Sequence, residues 1–562
     1  MIKLLQSFLC LLLILVLAAC SEAPRVETER PYYVASVDIE ASMTEAEVIA
    51  KYGGSIVLFK PEAGFAVLAF NQEEGELSTL ATTSANQDTF SVPEVSVAGA
   101  SAWGGGSAAW GGGWSAWSGG WSAWLGGFSA WSGAASEGGP ASNSTIWNQI
   151  KLKEAHAISR NFGEGIVVAV IDTGLDLNHP VFAGRLVANN KWRDYIDNDY
   201  YPMEASSGSG RGHGTSVASI ILQIAPKAKI MPIRVLDALG KGDTDDVISA
   251  IDWAISNGAN VINLSLGTYS SVSAMQSVID YASYYRGVYV IASAGNDANT
   301  KAVYPAFWAE EAYYSYRFMS VGSVNSSDAP SSFSNYGASL QYFAPGERIY
   351  GAFPSNQIIH TTGTSFATPM FSGAIALALS ETSSSYWGSV GQKLYSSTDG
   401  IGWRDGRLNV ESLIRRLPGF SEPQYFIRNV QSNKCLEVYG GNTNNSANID
   451  QWTCSSASPW HRWRLRPVGD SYQLINVNSG YVVDVTYAST DSGANISQYP
   501  YGGGNHQKWM VLSNGDGTFG FRALHSGKCM DVEGGSSADG VNIIQWDCHS
   551  GNNQKWRIEL VN

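Results

Sequence analysis

Between Ile146 and about Pro418 the chain alternates short apolar runs with longer mixed stretches. Ile166 to Ile171, Ile230 to Val235, Val261 to Leu266 and Val288 to Ser293 are brief and rich in β-branched residues, and read as strands. Asp246 to Asn257 and Thr364 to Leu379 read as helices. That alternation predicts a parallel sheet with helices on both faces. Upstream, Tyr32 to Val37 reads as a strand. Two overlapping capping boxes, Ser42 with Glu45 and Thr44 with Glu47, open a helix that stops at Gly53-Gly54. Ile56 to Phe59 and Phe65 to Phe70 then form a hairpin around Pro61 to Gly64. These elements predict a small α+β unit over 31–97 ahead of an α/β domain over 141–418. A linker near Ser421-Glu422-Pro423 closes the larger domain.

The pattern changes again from Gln424. Runs become short and turn-rich, the signature of an all-β unit, and they repeat. Cys435-Leu-Glu437-Val, Val482-Val-Asp484-Val and Cys529-Met-Asp531-Val are each 47 residues apart, as are Trp452, Tyr499 and Trp546. A closing Trp recurs at 463, 509 and 556, within one residue of that period. A fixed period of this size predicts a repeat architecture over 424–562.

Composition narrows the partners. A formal net charge of −14 with only 15% charged residues leaves no Lys/Arg cluster for a phosphate backbone, so nucleic acid is not an expected partner. Residues 98–140 are a low-complexity Trp/Gly/Ser linker holding seven of the 19 Trp. Two readings stand there: a flexible connector, which so much glycine favours, or an aromatic strip for glycans or a partner surface.

The chain begins with Lys3 and an apolar run, Phe8 to Leu17, too short for a comfortable membrane span. It then reads Leu17-Ala18-Ala19-Cys20, which resembles a bacterial lipobox. The resemblance implies a signal peptide over 1–19, lipidation of Cys20, a polar tether over 20–30 and an exported, envelope-anchored protein that meets membrane only through its lipid. An ordinary signal peptide with a chance Cys is the alternative. Four cysteines then remain in the tail, Cys435, Cys454, Cys529 and Cys548, and an even set in an exported protein reads as disulfides.

Three segments carry the chemistry. AVIDTGLD (Ala169 to Asp176) puts Asp172 at the end of a buried strand; GHGTSVAS (Gly212 to Ser219) puts His213 at a helix start; GTSFATPM (Gly363 to Met370) puts Ser365 at another. A Ser hydroxyl needs a base to take its proton. A His has a suitable pKa for that task, and an Asp behind the imidazole fixes its tautomer. Asn296, in IASAGND, offers an amide to a developing oxyanion beside the dipole of the Ser365 helix.

These four frames, in this order, resemble the subtilase family. The resemblance implies an α/β fold, serine endopeptidase activity on protein or peptide substrates without a catalytic cofactor, and an autoprocessed propeptide over 31–97. Asn263 to Gly267 resembles the strand that aligns substrate backbone. Asp194, Asp197 and Asp199 resemble a calcium loop of thermitase-like subtilases; a solvated acidic turn is the other reading.

The tail resembles a ricin-B-type β-trefoil lectin, through its Cys pairs, the Asp-Val step and the final Gln-x-Trp. That implies a carbohydrate or glycoprotein partner. The third repeat carries a full set, Asp531, Trp546, Asn553 and Gln554. The second has Asp484, Tyr499 and Gln507 but His506 at the Asn position. The first has Glu437, with Trp460 and His461 in place of the amide pair. The expected order of binding is third, second, first. A rival reading is a glycan-binding surface lipoprotein with a latent peptidase scaffold; intact Asp172, His213, Ser365 and Asn296 favour the enzyme.

Overall fold

The computed structural model describes residues 32–71, 96–97, 108–109, 143–309, 316–403, 405–469 and 471–561. The signal segment, Cys20, the tether and all but two residues of the Trp/Gly/Ser linker lie outside the described residues. Among the described residues no helix is long and apolar enough to cross a membrane.

The central unit is a seven-stranded sheet whose paired strands all run parallel. Across it lie Tyr342–Pro345, Phe318–Val324, Tyr289–Ser293, Val261–Leu264, Val167–Asp172, Lys229–Arg234 and Arg193–Asp194. Successive side chains of a strand point to opposite faces, and the Val167–Asp172 strand obeys this. Val168 and Val170 enter one core with the helices His213–Ile224 and Thr364–Ser380; Ala169 and Ile171 enter the other with Thr244–Ser256 and Ser273–Asp280. Both faces of the sheet are therefore covered, which is why its strands read as continuous apolar runs. The Thr364–Ser380 helix is buried along nearly its whole length and carries Pro369 inside it.

The N-terminal unit is a three-stranded antiparallel sheet, Tyr32–Asp38 beside Phe65–Asn71 beside Ser55–Lys60. Of the two capping boxes in the sequence the second forms: the Thr44 hydroxyl accepts from Glu47 N at 3.4 Å, and Thr44 N donates back to the Glu47 carboxylate at 2.7 Å. The helix runs Glu45–Tyr52. This unit packs on the larger domain. Val34, Leu58, Phe65 and Val67 join the core behind Thr244–Ser256, Lys60 pairs with Asp252 at 2.7 Å, and the Tyr281 hydroxyl donates to Glu62 at 2.7 Å. Farther along, Ser96–Val97 lies antiparallel to Leu266–Gly267, and Ala108–Ala109 pairs with Gln357–Thr361.

The tail forms one antiparallel all-β unit from Tyr425 to Leu560. The three closing Trp are fully buried at its centre. Each indole N–H donates to a backbone carbonyl of its own repeat: Trp463 to Leu436 at 2.9 Å, Trp509 to Val483 at 3.1 Å and Trp556 to Met530 at 3.4 Å. Equivalent residues thus do equivalent work, as a threefold repeat demands. Disulfides join Cys435 to Cys454 and Cys529 to Cys548, each closing 19 residues of one repeat.

The tail also docks on the central α/β unit. Ala157, on the helix Leu152–Ile158, is buried within the tail's own apolar cluster. Lys153 Nζ donates to Gly469 O, and Arg160 donates to the Ser421 hydroxyl at 3.0 Å. Glu422 in the connector takes Arg415 from one side at 2.5 Å and Arg464 from the other at 3.5 Å.

Candidate active site and binding face

Asp172 is the last residue of its strand and is fully buried. Its Oδ1 accepts from Thr173 N at 2.8 Å and faces His213 Nδ1 at 2.7 Å. The strand end and the helix start approach closely: a Cβ on Gly214 would stand 2.2 Å from Gly174 O, so no larger residue fits beside the histidine. Ser365 opens the Thr364–Ser380 helix behind Gly363, whose φ of 151° favours glycine. The Phe366 ring lies 5.2 Å from the His213 ring, which sets the two helix starts side by side. Ser365 Oγ donates to Ser265 O at 3.2 Å, and the Ser265 hydroxyl donates back to Ser365 O at 2.8 Å.

Asn296 is anchored by one end only. Its Oδ1 accepts from Thr364 N at 2.8 Å and from Thr364 Oγ1 at 3.1 Å. That fixes the amide plane and leaves Nδ2 buried with no partner among the described residues. A buried N–H without an acceptor costs stability, so this donor is open to an acceptor that enters the site. Asn335 holds the loop in shape, with Oδ1 accepting from Asp297 N and Asn299 N at 2.9 Å each and Nδ2 donating to Ala294 O at 3.0 Å. Sequence reasoning gave no role to Ser265, Thr364 or Asn335, although Ser265 sits within the Asn263 to Gly267 frame and Thr364 within the serine frame.

The acidic turn closes on an arginine. Asp194 is buried, and its Oδ1 accepts from Ile196 N at 2.9 Å and Asp197 N at 3.0 Å. Arg234 Nη1 reaches Asp194 Oδ2 at 2.9 Å and Asp197 Oδ2 at 2.6 Å, while Asp199 Oδ1 accepts from Tyr201 N at 2.7 Å. The three carboxylates are spent on a guanidinium and on turn N–H groups. Among the described residues no group of three or more His, Cys, Asp or Glu is placed to hold a metal ion. Burial pushes the Asp194 carboxyl above its ordinary range, with its hydrogen bonds and Arg234 acting against that push. Nothing in the acidic spacing announced Arg234, which arrives from the end of another strand.

On the tail, each repeat presents a half-exposed aromatic ring at the same place in its period: Trp452, Tyr499 and Trp546, at 41, 43 and 43% exposure. The acids Glu437, Asp484 and Asp531 are buried. In the third repeat Asp531 Oδ2 accepts from Asn553 Nδ2 at 2.9 Å and Gln554 Nε2 at 2.7 Å, with His549 Nε2 at 3.4 Å. In the second, Asp484 Oδ2 accepts from Gln507 Nε2 at 2.9 Å, with His506 Nε2 at 3.4 Å. Burial raises the Asp484 carboxyl, opposed by Gln507. In the first, His461 Nε2 pairs with Glu437, and His461 Nδ1 accepts from Ser455 N at 3.1 Å. The imidazole thus takes the place of the glutamine, whose Oε1 accepts from Gly502 N in the second repeat and from His549 N in the third. Asp450 faces Glu437 across the strand pair. Burial and Glu437 together push its carboxyl well above the ordinary range. Neither His549 nor Asp450 was legible, because each lies outside the repeated motif.

Residues 163–440 match the model of the subtilase family, and residues 423–556 match the ricin-type beta-trefoil lectin domain. Thermitase of Thermoactinomyces vulgaris is 33% identical over 291 residues, covering 49% of this chain and 98% of thermitase. Subtilisin BL of Lederbergia lenta is 34% identical, over 42% of this chain and 84% of its own. Among solved structures, a cold adapted subtilisin-like serine proteinase is 32% identical, with a TM-score of 0.39 over 45% of this chain and 91% of that one. With thermitase matched along almost its whole length, and the Asp, His, Asn and Ser frames inside the matched span, the chain belongs to the subtilase family of serine peptidases and carries a ricin-type lectin domain behind it.

Proposed function

We propose that Ser365, His213 and Asp172 are the catalytic triad of an exported endopeptidase and that Asn296 Nδ2 is its oxyanion donor. The observation that carries this reading is the buried, partnerless Asn296 Nδ2 beside the helix that bears Ser365. In this mechanism His213 takes the Ser365 proton as the hydroxyl attacks the substrate carbonyl. Asp172 Oδ1 holds the Nδ1–H and stabilises the imidazolium. The amide of Asn296 and the N-terminal dipole of the Ser365 helix stabilise the oxyanion, and His213 then returns the proton to the leaving amine. The edge Leu266–Gly267, already paired with Ser96–Val97, is the backbone rail for an extended peptide. Its occupation by the chain's own segment fits a precursor that must be cut before substrate can enter, with 31–97 as the propeptide.

The trefoil carries the sugar sites of this reading. Asp531 with Trp546, Asn553 and Gln554 binds best, then Asp484 with Tyr499 and Gln507, and the Glu437 lobe least. An acid for a hydroxyl pair under an exposed ring is the chemistry a sugar needs. Two disulfides suit an oxidising compartment, and lipidation of Cys20 would tether the enzyme to the envelope. Calcium is left out, because Arg234 already supplies positive charge to Asp194 and Asp197. The test is Ser365→Ala in the full chain on a fluorogenic peptide. The variant should lose peptidase activity and accumulate with Tyr32 onward still attached; a pure variant that cuts and matures like the parent overturns the assignment.

A further inference from the structure

The helix that carries His213 has no cap of its own. Its N-cap is Gly212, in the left-handed region at φ 84°, and no side chain of the local sequence closes its first turn. Four N–H groups at such an end need acceptors. His213 N finds Gly210 O at 3.2 Å, but the others turn to two side chains from elsewhere. Glu204 Oε2 accepts from Gly212 N, and Glu204 Oε1 accepts from Thr215 N at 2.9 Å and from Thr173 Oγ1 at 3.1 Å. Thr173 Oγ1 in turn accepts from Gly214 N at 3.0 Å, while Thr173 N donates to the catalytic carboxylate of Asp172 at 2.8 Å.

One buried carboxyl, only 7% exposed, therefore ties the start of the His213 helix to the turn that follows Asp172. We infer that Glu204 is a positioning residue for His213: it caps the helix from outside and locks the imidazole onto Asp172. Gly212 N, Thr215 N and the Thr173 hydroxyl all donate to it, as the start of a helix invites. Burial pushes this carboxyl up to about 8, with Asp172 adding to the push, while the bonds from Thr215 N, Gly212 N and Thr173 oppose it. The charged groups around it are few. Asp172 and His213 face it, and the Arg234 stem passes beside Gly174 and Met203 with its guanidinium committed to Asp194 and Asp197. Arg211 lies over the Phe353 ring instead. Glu204 therefore acts on His213 through the bonds it makes at the helix start.

The inference rests on His213 being the general base, so the experiment includes His213→Ala. Full-length parent, Glu204→Gln, Glu204→Asp and His213→Ala are compared on a small soluble peptide substrate from pH 5 to 10, with folding followed by circular dichroism. Glu204→Gln keeps the shape but turns its NH2 against either the Gly212 N–H or the Thr215 and Thr173 donors. Its kcat should fall by up to about 100-fold, the scale of a misplaced catalytic group, with KM within about twofold of the parent. Glu204→Asp should recover part of the rate. If His213→Ala is inactive while both Glu204 variants match the parent in kcat, Glu204 does not position the base. Should Glu204→Gln fail to fold, Glu204→Asp decides by kcat and KM. Activity retained by His213→Ala overturns the triad assignment itself.

Discussion

The active site and the lectin face are both built on a buried aspartate, and the two aspartates are held in opposite ways. Asp172 gives its bonded oxygen to His213, the histidine that changes charge in the proposed mechanism, and Thr173 N holds the same oxygen. Asp531 receives two side-chain amides that never change charge, and the exposed Trp546 ring lies one strand across. The first arrangement suits a proton transfer; the second holds a carboxylate in place with two amides. The first repeat mixes the two styles: it has the exposed Trp452 of a lectin lobe, but its acid is paired with His461 and pressed against Asp450. A shared backbone period therefore does not imply shared chemistry.

The largest effect that would sharpen this contrast is Asp172→Asn, which leaves the shape but presents the wrong hydrogen-bond partner to His213. It should cost roughly four orders of magnitude in kcat, while retention on a galactose-type or xylan-type resin stays as in the parent. A loss under tenfold would mean Asp172 does not govern the tautomer. Next comes Asp531→Ala, which removes the acceptor under Trp546. Glycan affinity should drop about 10- to 100-fold, the scale of a lost hydrogen bond to a charged group, with the peptide rate untouched.

Within the lectin face the lobes should rank. Asp484→Ala should weaken retention less than Asp531→Ala, and Glu437→Ala least, because only the third lobe combines an acid with two amides. Equal losses in all three, measured on the same resin, would make the acids structural supports instead of ligand groups. The smallest effect concerns Asp450. Its folded carboxyl titrates above the unfolded value, near 4, so the folded state keeps a proton that the unfolded chain has released. Stability therefore falls as pH rises from about 4 through the folded pKa. Asp450→Asn removes that penalty and should raise Tm at pH 8 by a few degrees, roughly what 1 kcal/mol gives a domain of this size, with no gain at pH 4. A gain that does not vary with pH would show that Asp450 and Glu437 are not competing for one proton.

What could be read from the sequence follows from range. The strands around Asp172, the helices of His213 and Ser365, and the Thr44 cap depend on neighbours within a few positions, so periodicity and motif revealed them. The three buried Trp were visible because a repeat shows the same residue three times over, and the two disulfides because four cysteines recur in matching pairs in the first and third repeats. Arg234, Asn335 and Glu204 stayed hidden for the converse reason. Each acts on a loop 8 to 41 residues away in the chain, and its meaning is set by which side chain the fold brings beside it. Arg234 changed the account of Asp194 and Asp197 most. Three acids in a turn look alike whether a cation or a guanidinium completes them, and only the fold distinguishes the two.

The docking of Ala157 into the trefoil core, with Glu422 clasped between Arg415 and Arg464, has a consequence for reach. A module on a slack tether lets its enzyme sweep a sphere of substrate. A module bolted to the enzyme turns with it, like the two legs of a locked compass. Once a sugar holds the Trp546 lobe, the cleft of Ser365 would address only points at one radius and one bearing from that anchorage, and neighbouring peptide nearer or farther would pass uncut.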